Sequence, residues 1–180
     1  MKCYDLTTID IPNWYELECI KPTVINPKTI KELREQSQKK GLIILKDPSD
    51  EVLRHALEKS LVDAVLPDRY HSHDYFHHRR TILDLVNIRL MKKHNISLLF
   101  TMRELRESHG IKRALIWGRM LFEAGICAHK SVPVMVSSGA EKEEDLVHKE
   151  SLIGMAETLG LNKKVLSYVQ EKVLERINQI

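Results

Sequence analysis

Residues 71–80 read HSHDYFHHRR, which places four histidines, one aspartate and two arginines within ten positions. Three kinds of chemistry use such a set. Imidazole is the commonest metal ligand, so His71 and His73, in His-x-His spacing, could hold zinc or a metal pair together with His77 and His78. A histidine also titrates near neutrality and can move a proton. Arginine forks onto phosphate or carboxylate oxygens, so Arg79 and Arg80 suit a grip on a polyanion.

A hydrolytic metal centre draws ligands from several strand ends. The other expected strand tips carry Thr7, Thr8, Lys46, Thr101 and Ser137, which supply almost no ligands. Nucleophilic catalysis by Ser137 or Ser138 would need a base and an orienting acid at hydrogen-bond range, and no spacing in the chain demonstrates one. The run Ser137-Ser138-Gly139 after a strand instead makes a turn, or offers hydroxyls and backbone N–H groups to an anion. No catalytic residue and no metal ligand is assigned.

The cations favour the polyanion. Residues 71–130 hold eleven Lys/Arg and five Asp/Glu, a net of +6 against +3 for the whole chain, and seven of the nine histidines. At 100° per residue Lys112, Arg119 and Lys130 fall within about 20° of one another on a long helix, with Arg113 beside them. An apolar stripe of Ile111, Ala114, Leu115, Leu121, Phe122 and Ile126 is expected to face the core, leaving the basic line outward. Arg79 and Arg80 open the preceding helix, the end where a cation is unfavourable, so a partner outside the helix must account for them. A phosphate backbone would, with release of counterions. Tyr70, Tyr75 and Phe76 could stack on unpaired bases.

The elements that must position these residues alternate. Strands are expected at 3–9, 18–25, 42–46, 61–66, 96–101 and 132–139. Helices are expected after Asn26-Pro27, closing at Gly41; after a Ser49 cap; over 79–95, with apolar residues at 82, 85, 86 and 90; over 111–130; and in two stretches to the C-terminus. Such alternation means a parallel sheet with crossover helices, either a barrel or a doubly wound sheet. The site then belongs on the loops at the carboxyl ends of the strands. One domain over 1–180 is expected. Cys3, Cys19 and Cys127 show no paired spacing. No apolar run approaches about 20 residues and Met1-Lys2 leads into a mixed strand, so the expectation is a cytoplasmic protein without membrane contact.

Several stretches, in order, resemble one family. YDLTTI, DYFHHRRTILD, RALIWGRM, AHKSVPVMVSSGAEKEEDL and VLERIN are similar to segments of protein component 3 of archaeal and eukaryotic ribonuclease P, the Val-Pro-x-x-x-Ser-Ser-Gly-Ala run most specifically. The resemblance implies an α/β, TIM-barrel-like fold related to metal-dependent phosphoesterases. It implies a subunit that binds and supports catalytic RNA in removing the 5′ leader of precursor tRNA. The RNA performs that cleavage with Mg2+, so this chain needs no cofactor and the endoribonuclease is the holoenzyme. The implied partners are ribonuclease P RNA, the smaller protein component 2, other protein subunits and precursor tRNA. Carried over by position, RNA contacts fall on His77, Arg79, Arg80, Arg113, Arg119, Lys130, Ser137, Ser138 and Gly139; the helical charge line adds Lys112. The related hydrolases begin with Asp-Leu-His-x-His, whereas this chain has Asp5-Leu6-Thr7-Thr8-Ile9, which argues against hydrolysis by the protein alone. Only eight residues separate YDLTTI from ECIKPTVI, so the barrel is expected to be shortened near its N-terminus. The rival reading is a free-standing metal-dependent phosphoesterase built on the histidine-rich loop.

Overall fold

The computed structural model describes residues 3–7, 17–39, 41–70 and 81–161. Five strands form one parallel sheet: β3 (Thr23–Ile25), β4 (Ile43–Lys46), β5 (Ala64–Leu66), β6 (Ser97–Thr101) and β7 (Val134–Ser137). Their spatial order is their chain order. Two earlier strands, β1 (Cys3–Leu6) and β2 (Leu17–Ile20), pair in parallel with each other. Helices α1 (Ile30–Gln36), α2 (Asp50–Glu58) and α3 (Leu85–His94) each connect one strand to the next. The short α4 (Met102–Arg106) and the 21-residue α5 (Gly110–Lys130) together link β6 to β7, and α6 (Lys149–Thr158) follows.

A sheet whose every crossover advances by one strand in the same right-handed sense carries all its helices on one face. The burial pattern agrees. In β4, Ile43 and Leu45 pack toward the helices, while Leu42 and Ile44 belong to a second cluster with Leu6, Ile20, Ala64, Leu99 and Met135. Strand side chains alternate faces, so the continuous apolar run 42–45 feeds two cores at once. Leu98 and Phe100 in β6 face the helices, and Leu99 between them faces inward. Leu6 and Ile20 bring the β1–β2 pair over that inner face.

Local chemistry sets the boundaries. Thr29, Ser49 and Asp84 cap α1, α2 and α3, their side-chain oxygens accepting the N–H of Glu32, Val52 and Asn87. The expected strand 18–25 is divided at Lys21-Pro22. Pro22 has no N–H to give a ladder, and at this point the chain exchanges β1 for β4 as its neighbour. The closing glycine of the α1 turn, Gly41, has φ +97°, open only to glycine at little cost. The expected terminal helix at 162–180 lies outside the described residues.

Two helical faces differ from the expected ones. Leu85 and Val86 are exposed, and α3 buries Asn87, Ile88 and Met91 instead. On α5 the buried residues are Ile116, Arg119, Met120, Glu123, Ala124 and Cys127, while Ile111, Ala114, Leu115, Leu121 and Phe122 are exposed and Ile126 is half-buried. The inward face of α5 is therefore rotated by about 150° from the expected apolar stripe. The reason lies beneath it, where an ion-pair network needs Arg119 and Glu123.

Candidate site at the carboxyl ends of the strands

His71, His73, His77, His78, Arg79 and Arg80, with Tyr75 and Phe76, lie outside the described residues. The segments on either side are described, and one buried network holds both. Arg69, three residues beyond β5, is 2% exposed. Its Nε donates to Glu123 Oε2 at 2.7 Å, its Nη1 to both oxygens of Glu104 at 3.1 Å, and its Nη2 to the Leu99 carbonyl at 3.1 Å. The guanidinium also lies over the Phe100 ring, 4.6 Å from its centroid. On the far side of residues 71–80, Thr81 Oγ1 donates to the other oxygen of Glu123 at 3.0 Å. Arg119 Nη1 donates to the Arg69 carbonyl at 2.6 Å.

The members come from three parts of the chain: Arg69 after β5, Glu104 on α4, and Arg119 and Glu123 on α5. Glu104 sits three residues after Thr101 in a capping box, its carboxylate accepting the Thr101 hydroxyl at 2.9 Å. Glu123 and Arg119 lie four apart on α5. Two cations and two carboxylates make a charge-balanced group, which a water-poor interior tolerates. Burial by itself lowers the pKa of Arg69, but Glu104 and Glu123 more than offset it, so the guanidinium stays protonated. Burial raises the Glu104 carboxyl above its ordinary range, and Arg69 and Thr101 counter the shift only in part. Nearby Cys127 is pushed up to about 12 by burial, with the negative Glu123 adding to the effect.

The Ser-Ser-Gly turn also faces inward, which corrects the expectation that its hydroxyls meet a polyanion. Ser137 and Ser138 are fully buried. Ser137 Oγ donates to Asp5 Oδ1 at 2.9 Å and lies equally close to the Leu6 carbonyl. Ser138 N donates to the same Asp5 oxygen at 2.8 Å. The turn thus fastens the end of β7 to β1 through side chains. Gly139 has φ +65°, and a Cβ there would stand 3.1 Å from the Cβ of Arg103 and 3.2 Å from that of Thr101. Glycine is required for shape.

The expected outward line of cations on α5 is also corrected. Arg119 is 6% exposed and belongs to the network. Lys112 and Lys130 share its angular position, and they are exposed because they lie at the two ends of the helix, about 27 Å apart at 1.5 Å per residue. Lys112 reaches the mouth of the sheet, its Nζ over the Tyr70 ring at 3.0 Å. Arg113 donates to the Ser108 carbonyl at 2.7 Å and stays exposed.

Two clefts open at the carboxyl ends of the strands and meet at Pro67–Arg69. One, about 460 Å³, is lined by Thr7, Lys46, Tyr70, Thr101, Arg103 and Gly139 among others. The other, about 500 Å³, reaches Lys28, Asp47, Asp68, Thr81, Arg119 and Glu123. No three His, Cys, Asp or Glu among the described residues are gathered as for a metal ion. Sequence reasoning missed Arg69, Glu104, Glu123 and Asp5. Thr101-x-x-Glu104 carried a readable capping signal, whereas Arg69 and Asp5 carried none.

The described elements define an α/β protein with a parallel sheet, its helices on one face and its polar clefts at the strand ends. The structure is similar to a chain in a cryo-EM structure of archaeal ribonuclease P with mature tRNA, with a TM-score of 0.70 and 19% sequence identity over 98% of this chain and 78% of that one. No protein-family model and no curated protein matches the sequence.

Proposed function

We propose that the chain is a protein subunit of ribonuclease P that binds the catalytic RNA and supports removal of the 5′ leader from precursor tRNA. The observation that carries this reading is the likeness of nearly the whole chain, 98% of it, to a chain of archaeal ribonuclease P. The sequence motifs that resemble protein component 3 point the same way, independently of the backbone. The proposal includes a TIM-barrel-like closure. What supports closure is the Asp5–Ser137 bond from β1 to β7, the pairing of β1 with β2, and the direct passage of β2 into β3.

In this reading the chain supplies no nucleophile. Mg2+ is held by the RNA and the endoribonuclease is the assembled particle, in the cytoplasm, with component 2 among its proteins. The work of this chain is to hold positive charge rigidly against phosphate. The Arg69–Glu123–Thr81 network fixes the chain on both sides of residues 71–80, which include His77, Arg79 and Arg80. Lys112 and Arg113 stand at the same rim. Each phosphate neutralised there lowers repulsion within the folded RNA and releases counterions.

The test is reconstitution of precursor tRNA cleavage from the RNA and protein subunits at limiting magnesium, with and without this chain. Stimulation by the chain is expected. Replacing Arg79 and Arg80 by Glu should reduce that stimulation at least tenfold and flatten the salt dependence of RNA binding. Absence of stimulation, or bound zinc or manganese with hydrolysis of a small phosphoester by the chain alone, would transfer the assignment to the metal phosphoesterase.

A further inference from the structure

Eight large hydrophobic side chains are exposed among the described residues, and six of them, Leu85, Val86, Ile111, Leu115, Leu121 and Phe122, belong to α3 and α5. Both helices run from the carboxyl toward the amino ends of the strands, since α3 leads into β6 and α5 descends from β6 to β7. The bond from Thr81 to Glu123 ties the segment that enters α3 to α5, at the residue next to Phe122. On α5, Ile111, Leu115 and Phe122 fall within about 40° of one another at 100° per residue. They form a continuous stripe.

The charges around this stripe have one sign. α3 places Arg89, Lys92 and Lys93 on the same exposed face as Leu85 and Val86, and α5 ends at exposed Lys130. The sole acid in the two helices is Glu123, which is buried in the network. Asp84, the cap of α3, is engaged by Arg54 at 2.9 Å. Cations therefore border the hydrocarbon at both ends, Lys112 and Arg113 in the first turn of α5 and Arg89, Lys92, Lys93 and Lys130 toward the foot of the sheet. A second copy of this chain would set like charges against each other. A nucleic-acid strand is bound through cations and aromatic platforms, whereas the exposed centre of this flank, between those cations, is mainly aliphatic. An apolar centre with charges at the edge is the anatomy of a protein interface.

We propose that the α3–α5 flank docks another protein subunit of the same particle, through a surface with an apolar centre and a carboxylate edge. This inference rests on the ribonuclease P reading for its setting. Leu85, Ile111, Leu115 and Phe122 meet the apolar centre, and Arg89, Lys92 and Lys93 meet the carboxylates.

A photoreactive benzoylphenylalanine in place of Leu115 tests it in the reconstituted particle, with the same label in place of Glu58 on α2 as control. The expected result is a protease-sensitive adduct with one protein subunit, from position 115 and not from 58, mapping to a segment that carries aspartate or glutamate. An adduct with RNA, an adduct with a second copy of this chain, or no adduct from a labelled chain that has entered the particle overturns the docking proposal alone. Failure of the labelled and the unlabelled chain to enter the particle overturns the functional reading, and the docking proposal with it. The double variant Ile111→Glu, Leu115→Glu should keep the thermal midpoint of the isolated chain and bind the crosslinked subunit at least 30-fold more weakly; unchanged affinity counts against the flank. Equal sedimentation with phosphatidylserine vesicles before and after that double substitution supports the protein assignment, whereas strong binding lost with it would make the occupant a lipid surface.

Discussion

At the mouth of the sheet an arginine is 2% exposed, while on the outer flank of the same α/β layer Ile111 is 82% exposed. Each is the reverse of what side-chain chemistry favours in isolation. The mouth tolerates its charge because each guanidinium nitrogen has a partner: Arg69 meets two carboxylates, a carbonyl and a ring. The flank tolerates its hydrocarbon because the inward face of α5 is already taken. Arg119 and Glu123 must reach the network, so Ile111, Leu115 and Phe122 turn outward. One constraint explains both regions, and the two should respond oppositely to substitution.

The largest contrast is at Arg69. Arg69→Met leaves Glu104 and Glu123 buried without a cation and should destabilise the chain by about 3–5 kcal/mol, read from the urea midpoint. Adding Glu104→Gln and Glu123→Gln should recover part of that loss. Recovery of none would mean that packing, and not charge balance, dominates the mouth. The adjacent pair Ile116 and Leu115 comes next. Ile116→Ala, at a buried position, should cost about 2–5 kcal/mol, whereas Leu115→Ala should stay within about 0.5 kcal/mol in the isolated chain. Equal losses would erase the distinction between the two faces of α5.

Ser137→Ala removes the hydroxyl that Asp5 accepts and should cost about 1–3 kcal/mol, with the loss concentrated in faster amide exchange of β1. The smallest effect is at Cys127. Its thiol is raised in the fold from near 9 to about 12. The folded state therefore holds more protons than the unfolded chain in that interval, so the associated stability is complete below about pH 9 and is lost as pH rises toward 12. Cys127→Ala should flatten this alkaline slope, measured as thermal midpoint against pH. Slow alkylation of Cys127 at pH 8 in the folded chain is the companion observation.

Much of the scaffold was legible in particular residues. The apolar run Leu42–Leu45 announced a strand buried on both faces, Ser49 announced the α2 cap, and Gly41 closed the turn after α1. Pro22 should have divided the second strand, because proline gives nothing to a ladder. The candidate site was less legible. Ser137, Ser138 and Arg119 were expected to face outward and face inward instead: the first two tie β7 to β1, and the third holds the backbone of Arg69. Lys112 and Lys130 share a helical angle and stand at opposite ends of α5, so angle alone overstated their unity.

The alternation of strands and helices, the Ser49 cap of α2 and the concentration of cations between residues 71 and 130 were determined by the sequence itself, because propensity, periodicity and charge are local and additive, whereas the helix expected from residue 79 begins only at Leu85, behind an Asp84 cap. Which face of α5 turns inward was decided only by the tertiary structure. A helix with both a hydrocarbon stripe and an Arg–Glu pair has two candidate inner faces, and the choice depends on Arg69 and Thr81, 54 and 42 residues away from Glu123 in the chain. A buried charge is stable only where its partners converge, and convergence is a property of the folded chain.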